Sequence, residues 1–226
     1  DIANPLDLFD EFRKEYDNRI QNYLCGGGIK PEIEWYSPEF FEEPEVFKGN
    51  IPGCDKNNNL NKNNIVLFAN EYEAIKKICN IFVPKYQDII TSNPSWNFLE
   101  LVSIENKINS KFYSYNIEKK KFKINYDSIL NNINTKTKLI YLSSPNIISG
   151  QSIMKNEFEK FLKEIPDNII ILIDQRYFEF SDKKNILNGK DFINRPNIIV
   201  LRSFNNFYSI DSLELSYIFT NKNLAS

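Results

Sequence analysis

The stretch Asn168-Ile169-Ile170-Ile171-Leu172-Ile173-Asp174 decides the fold. Its unbroken Ile/Leu run, closed by a carboxylate, is the signature of a strand covered on both faces, as in a parallel sheet. Similar short runs lie on either side of it. Upstream, 138–143 and 88–91 read as strands, and 65–68 and 112–116 as shorter ones. Downstream, 197–202 and 216–220 complete the set. Between them lie segments of helical period. In 70–82, Ile75, Ile78, Cys79 and Phe82 fall on one face; 99–106, 127–133 and 155–165 follow the same pattern, the last through Phe158, Phe161, Leu162 and Ile165. Strands alternating with helices predict an α/β domain of three layers, a mainly parallel sheet flanked by helices. Ligands of such sheets bind beyond the carboxyl ends of the strands. The residues to read are therefore Ala69-Asn70-Glu71, Ser143-Ser144-Pro145-Asn146, Asp174 and the segment from Ser203 to Asn206.

Composition narrows the chemistry. The 226 residues carry a net charge of −2, which argues against a nucleic-acid-binding surface. There is no histidine, which excludes a Ser-His-Asp triad and any His-containing zinc site. No metal site is expected. Cys25, Cys54 and Cys79 are odd in number and widely spaced, so they read as reduced thiols of an intracellular, reducing compartment, the cytoplasm or an organelle matrix. No apolar stretch is long enough for a membrane span, and no signal-peptide pattern opens the chain. Neither GxGxxG nor GxxxxGK[ST] occurs, which removes the dinucleotide-binding and P-loop readings at their defining glycines. The Asn, Lys and Ile excess, densest in 56–64, points to an AT-rich genome rather than to function. The lysine runs, among them Lys119-Lys120-Lys121, read as solvated faces.

Residues 1–50 have a separate character. Positions 6–23 have helical spacing and are stopped by Gly26-Gly27-Gly28. Positions 31–48 combine Pro and Glu with Trp35, Tyr36, Phe40, Phe41 and Phe47, an extended aromatic arm. Two regions are therefore expected, 1–50 as an N-terminal helix and arm and 51–226 as the α/β domain. The chain opens on Asp1, so a native N-terminus upstream of it is expected.

Several strand ends resemble one known family. Leu139-Ile140-Tyr141-Leu142-Ser143-Ser144-Pro145-Asn146-Ile147-Ile148-Ser149-Gly150 resembles the "x-N-P-N-N-P-T-G" loop of fold-type I PLP-dependent aminotransferases. The segment 171–180, from Ile171 through Asp174 and Tyr177, resembles "V-D-E-A-Y-x-E-F". The segment 197–208 resembles "N-x-x-V-L-R-T-F-S-K-A-F", and its continuation Leu213-Glu214-Leu215-Ser216-Tyr217 resembles "L-R-L-G-Y". Phe68-Ala69-Asn70-Glu71 and Pro94-Ser95-Trp96 are similar to "G-A-D-E" and "P-T-Y" of the histidinol-phosphate aminotransferase branch. The resemblance covers about residues 64–220, the family's large domain; the family's C-terminal small domain is not found in this chain.

The resemblance implies a pyridoxal phosphate (PLP) site, of which part matches. Asp174 falls where the family keeps the carboxylate that holds the pyridine nitrogen's proton. Tyr177 matches the tyrosine beside the cofactor's phenolic oxygen, and Trp96 the aromatic that stacks on the ring. Ala69, Asn70 and Ser203 match the phosphate cradle. The remainder departs. Asn206 stands at the position of the Schiff-base lysine, and an amide cannot form an imine. Ile147 replaces the asparagine at the cofactor oxygen. Glu214 replaces the phosphate-binding arginine, and a carboxylate repels a phosphate dianion. No lysine lies between Lys190 and Lys222.

The expectation is a degenerate aminotransferase-like domain, with vestigial Asp174, Tyr177, Trp96, Ser203, Ala69 and Asn70, no catalytic residue and no cofactor. It would act as a structural or interaction subunit of a homo-oligomer or a larger protein assembly, without nucleic acid and without a membrane span. The alternative is an active PLP-dependent aminotransferase or decarboxylase whose lysine is relocated or whose site is completed by another chain. A weaker third reading is a sensor that binds PLP or a nucleotide phosphate without chemistry.

Overall fold

The apolar runs become strands: β1 (Ile65–Phe68), β2 (Asp88–Ser92), β3 (Asn109–Tyr113), β6 (Thr137–Ser143), β7 (Ile170–Asp174), β8 (Ile198–Ser203) and β9 (Ser216–Thr220). The computed structural model describes residues 64–93, 97–118, 121–146, 149–181, 184–205 and 215–225. The chain divides into two compact units, Asp1–Ile65 and Val66–Ser226, and the described residues fall almost wholly in the second. The helix expected at 6–23, the arm at 31–48, Cys25 and Cys54 lie outside the described residues.

The seven strands form one sheet in the order β1-β9-β8-β7-β6-β2-β3. The pairs β2–β3, β2–β6, β6–β7 and β7–β8 are parallel, and β8–β9 is antiparallel. The sheet is mainly parallel, as its continuous apolar strands predict: every residue of β2, β7, β8 and β9 is buried.

Side-chain alternation feeds two separate cores. On one face, Leu139 and Tyr141 of β6, Leu172 of β7, and Ile199 and Leu201 of β8 pack with Ala74, Ile75, Ile78 and Cys79 of α1 (Glu71–Phe82) and with Leu99 and Val102 of α2 (Asn97–Asn106). The other face is covered by α4 (Lys155–Phe161) and two 3₁₀ turns, Phe178–Phe180 and Gly189–Phe192. There Phe158 meets Phe192 edge to face, with ring centres 5.1 Å apart. Gly189 approaches β8 so closely that a Cβ at that position would lie 2.4 Å from a Val200 methyl.

Several elements differ from the sequence pattern. The strand expected over 112–116 is split. Tyr113 ends β3, and Tyr115 opens β4 (Tyr115–Glu118), which pairs antiparallel with β5 (Lys121–Ile124), Glu118 in register with Lys121. The lysine run conceals this hairpin, because the short alternating pairs Tyr115/Ile117 and Phe122/Ile124 are outweighed by charge. Helix α3 (Tyr126–Asn132) follows, capped by the Asn125 side chain accepting from the Ser128 N–H. Helix α4 is shorter than its apolar pattern. Beyond Leu162 the N–H groups of Lys163 and Glu164 donate three residues back, and Pro166 then disfavours continuation. The 3₁₀ turns and the last short helix, α5 (Lys222–Ala225), had no readable signal.

Candidate functional site at the carboxyl edge of the sheet

Parallel pairing carries the ends of β6, β7 and β8 to one edge. Ser143 lies opposite Asp174 across β6–β7, and Ser203 opposite Ser216 across β8–β9. Asp174, Ser143 and Ser203 follow the alternation of Leu172, Tyr141 and Leu201, so they face the α1 side. Helix α1 starts at the same edge. The Asn70 side chain caps it, accepting from the Glu73 N–H at 2.9 Å. The Asn205 amide, just after β8, donates to a Glu71 carboxylate oxygen at 3.2 Å, which joins the start of α1 to the end of β8. Five expected site residues therefore meet at one edge or flank it: Asp174, Tyr177, Ser203, Ala69 and Asn70. Trp96, Asn206, Ile147 and Glu214 lie outside the described residues.

The surroundings of Asp174 are the unexpected part. Its side chain is 2% exposed, and that of Arg176 only 4%. The Arg176 guanidinium clasps the carboxylate: Nε donates to Oδ1 at 2.9 Å and to Oδ2 at 3.0 Å, and a terminal nitrogen donates to Oδ2 at 2.7 Å. The Arg176 backbone N–H adds a bond to Oδ1 at 3.1 Å. From the adjacent strand, the Tyr141 hydroxyl donates to Oδ2. Burial, and then the Asp174 charge, push the Tyr141 phenol well above its ordinary pKa, so it remains a donor. Burial would lower the Arg176 guanidinium, but the neighbouring Asp174 more than offsets it and the net direction is up. A charge pair this dry is held by its complete hydrogen-bond set.

The phosphate-side residues are likewise engaged with one another. The Ser203 hydroxyl accepts from the Asn205 N–H at 3.1 Å. At the start of α1 the Glu71 carboxylate takes the Asn205 amide as a hydrogen-bond donor. Tyr177 is half-buried, with its ring 6.3 Å from that of Phe180 and the Arg176 guanidinium 5.9 Å from its centre. Among the described residues no group of three or more acidic, Cys or His side chains could hold a metal ion.

Sequence reasoning singled out Asp174 but missed Arg176, Tyr141 and Asn205. The signal for Arg176 was present, since the resembled string "V-D-E-A-Y" has an alanine where this chain has an arginine. Tyr141 was legible only through register: it lies on the face of β6 that alternates with Ser143, one strand from Asp174.

This sheet order, with the ends of β6–β8 at one edge and the start of α1 joined to the end of β8, is the architecture of the large domain of fold-type I PLP-dependent transferases. The sequence profile of the aminotransferase class I and II family matches residues 49–226, and the chain belongs to that family. It is 31% identical to histidinol-phosphate aminotransferase 2 of Carboxydothermus hydrogenoformans over 165 residues, 72% of this chain and 44% of that protein. It is 28% identical to the histidinol-phosphate aminotransferase of Methanococcus aeolicus over 204 residues, 87% of this chain and 52% of that protein. Among solved structures, the histidinol-phosphate aminotransferase of Sinorhizobium meliloti in complex with pyridoxal-5'-phosphate superposes with a TM-score of 0.66 at 16% identity, covering 74% of this chain and 44% of that one. The chain thus spans about half the length of the curated relatives it matches.

Proposed function

We propose that this chain is a degenerate aminotransferase-like domain that performs no PLP chemistry and acts as a structural or interaction subunit, as a homo-oligomer or within a larger intracellular assembly. The observation that carries this reading is the state of Asp174. The carboxylate that would partner a pyridine nitrogen is buried and already accepts from Arg176 and Tyr141. A ring nitrogen could reach it only by displacing one of them, so the residues present do not fit the cofactor. The sequence supports the same reading: Asn206, Ile147 and Glu214 stand where the resemblance places the lysine, the asparagine and the phosphate-binding arginine. Exposed apolar side chains on the helical face, Leu101 and Ile104 of α2 and Ile81 of α1, support an interaction role.

The test is a PLP titration followed by absorbance, then borohydride reduction and intact mass. The expected result is no visible band and no pyridoxyl adduct on any single mapped lysine. The second reading, an active PLP enzyme with a relocated lysine or a site completed by another chain, draws on Asp174, Tyr177 and Ser203 standing together at the edge. It would be established by one adduct on one lysine, with transaminase or decarboxylase activity lost in Asp174→Ala.

A further inference from the structure

We propose that Arg176 supplies, from within the chain, the cationic partner that a bound pyridine ring would otherwise bring to Asp174, so that an intramolecular ion pair closes the site and completes the fold without a bound group. This rests on the degenerate-domain reading and gives it a physical device.

A carboxylate 2% exposed cannot stand alone, because a desolvated charge is strongly unfavourable unless a partner and hydrogen bonds offset it. In a cofactor-dependent site the partner arrives with the ligand. Here it arrives with the fold, two residues along the chain. The closeness in sequence makes the pairing intramolecular over a very short loop, so it needs nothing from solution to form. The geometry leaves little room for competition. A carboxylate offers about four acceptor positions. Arg176 takes both oxygens through its side chain and Oδ1 again through its backbone N–H, and Tyr141 takes Oδ2 from the β6 side. Arg176 is itself fixed, lying against the Tyr177 ring.

The test is a double-mutant cycle of D174N, R176M and the double variant, followed by urea unfolding with and without pyridoxine 5'-phosphate. That analogue has no aldehyde and cannot form imines with surface lysines. Each single variant is expected to raise the unfolding constant by about a hundredfold or more. The double variant should recover part of the loss, with a coupling factor of at least about tenfold. The analogue should leave the wild-type midpoint unchanged. Additive single effects would overturn the pairing, whatever the analogue does. A wild-type midpoint raised by the analogue, and not raised in D174N, would overturn both the closure and the degenerate-domain reading. If a single variant fails to fold, a double variant that folds supports the pairing as its limiting case, and a double variant no more stable than the worse single one overturns it.

Discussion

Arg176 and Arg202 are both buried at the carboxyl edge of the sheet, and they answer to different demands. Arg202, one residue before the end of β8, points to the far face. It donates to Glu179 at 2.7 Å and to Gln175 at 3.1 Å, and its guanidinium carbon lies 3.9 Å from the centre of the Phe178 ring. Gln175 in turn donates to the Leu187 carbonyl at 2.7 Å and accepts from the Gly189 N–H at 3.0 Å, which holds the 3₁₀ segment against the sheet. The resembled string "V-L-R-T-F" has an arginine at the position of Arg202, whereas "V-D-E-A-Y" has an alanine at that of Arg176. The far-face arginine belongs to the scaffold and is shared with the family pattern. The near-face arginine is a departure, and it falls on the one carboxylate a cofactor would need.

Five substitutions break or sharpen that contrast. The largest effect is expected from Arg202→Met, which strands the buried Glu179 carboxylate; it should cost about 3–5 kcal/mol in urea unfolding. If the two arginines serve separate faces, its effect should add to that of Arg176→Met within about 0.5 kcal/mol. Tyr141→Phe removes a hydrogen bond to a charged group and should cost about 1.5–3 kcal/mol, with the sheet intact by circular dichroism. Gly189→Ala forces a methyl group against Val200 and should cost about 1–3 kcal/mol, without altering the Asp174 cluster.

The smallest effect concerns Asp88, which opens β2 at the opposite, amino edge of the sheet. Burial alone would raise its pKa, but hydrogen bonds from Asn134, Asn109 and Lys111 outweigh burial and hold the carboxyl below its ordinary range. A carboxyl depressed in the folded state stabilises above its unfolded pKa of ~3.9, and that contribution is lost as pH falls through the folded value. Asp88→Asn should therefore cost about 1 kcal/mol at neutral pH, and the gap from wild type should close on acidification. A gap that widens in acid would contradict the assignment.

Much of this was legible in the sequence because strands buried on both faces announce themselves. The run 169–173 placed the central strand and its carboxylate, and β8 and β9 were found to within a residue. The hairpin β4–β5 was not, because its pairs are too short to outweigh the adjacent lysines. The site was legible as a set of family positions, which found Asp174 and Ser203 at one edge. Their occupancy was not legible. Whether a carboxylate is open or clasped depends on where a long side chain two residues away turns, and no periodicity encodes that direction. Tyr141 was hidden for a related reason, since only the β6–β7 register brings its hydroxyl to Asp174.

The most direct test of whether the Asp174 site is closed is a crystal structure of the chain grown with PLP in excess. The expected result is the Arg176 guanidinium on both oxygens of Asp174, the Tyr141 hydroxyl on Oδ2, and no cofactor density at the end of β7. A pyridine nitrogen bonded to Asp174, with Arg176 turned away, would contradict it.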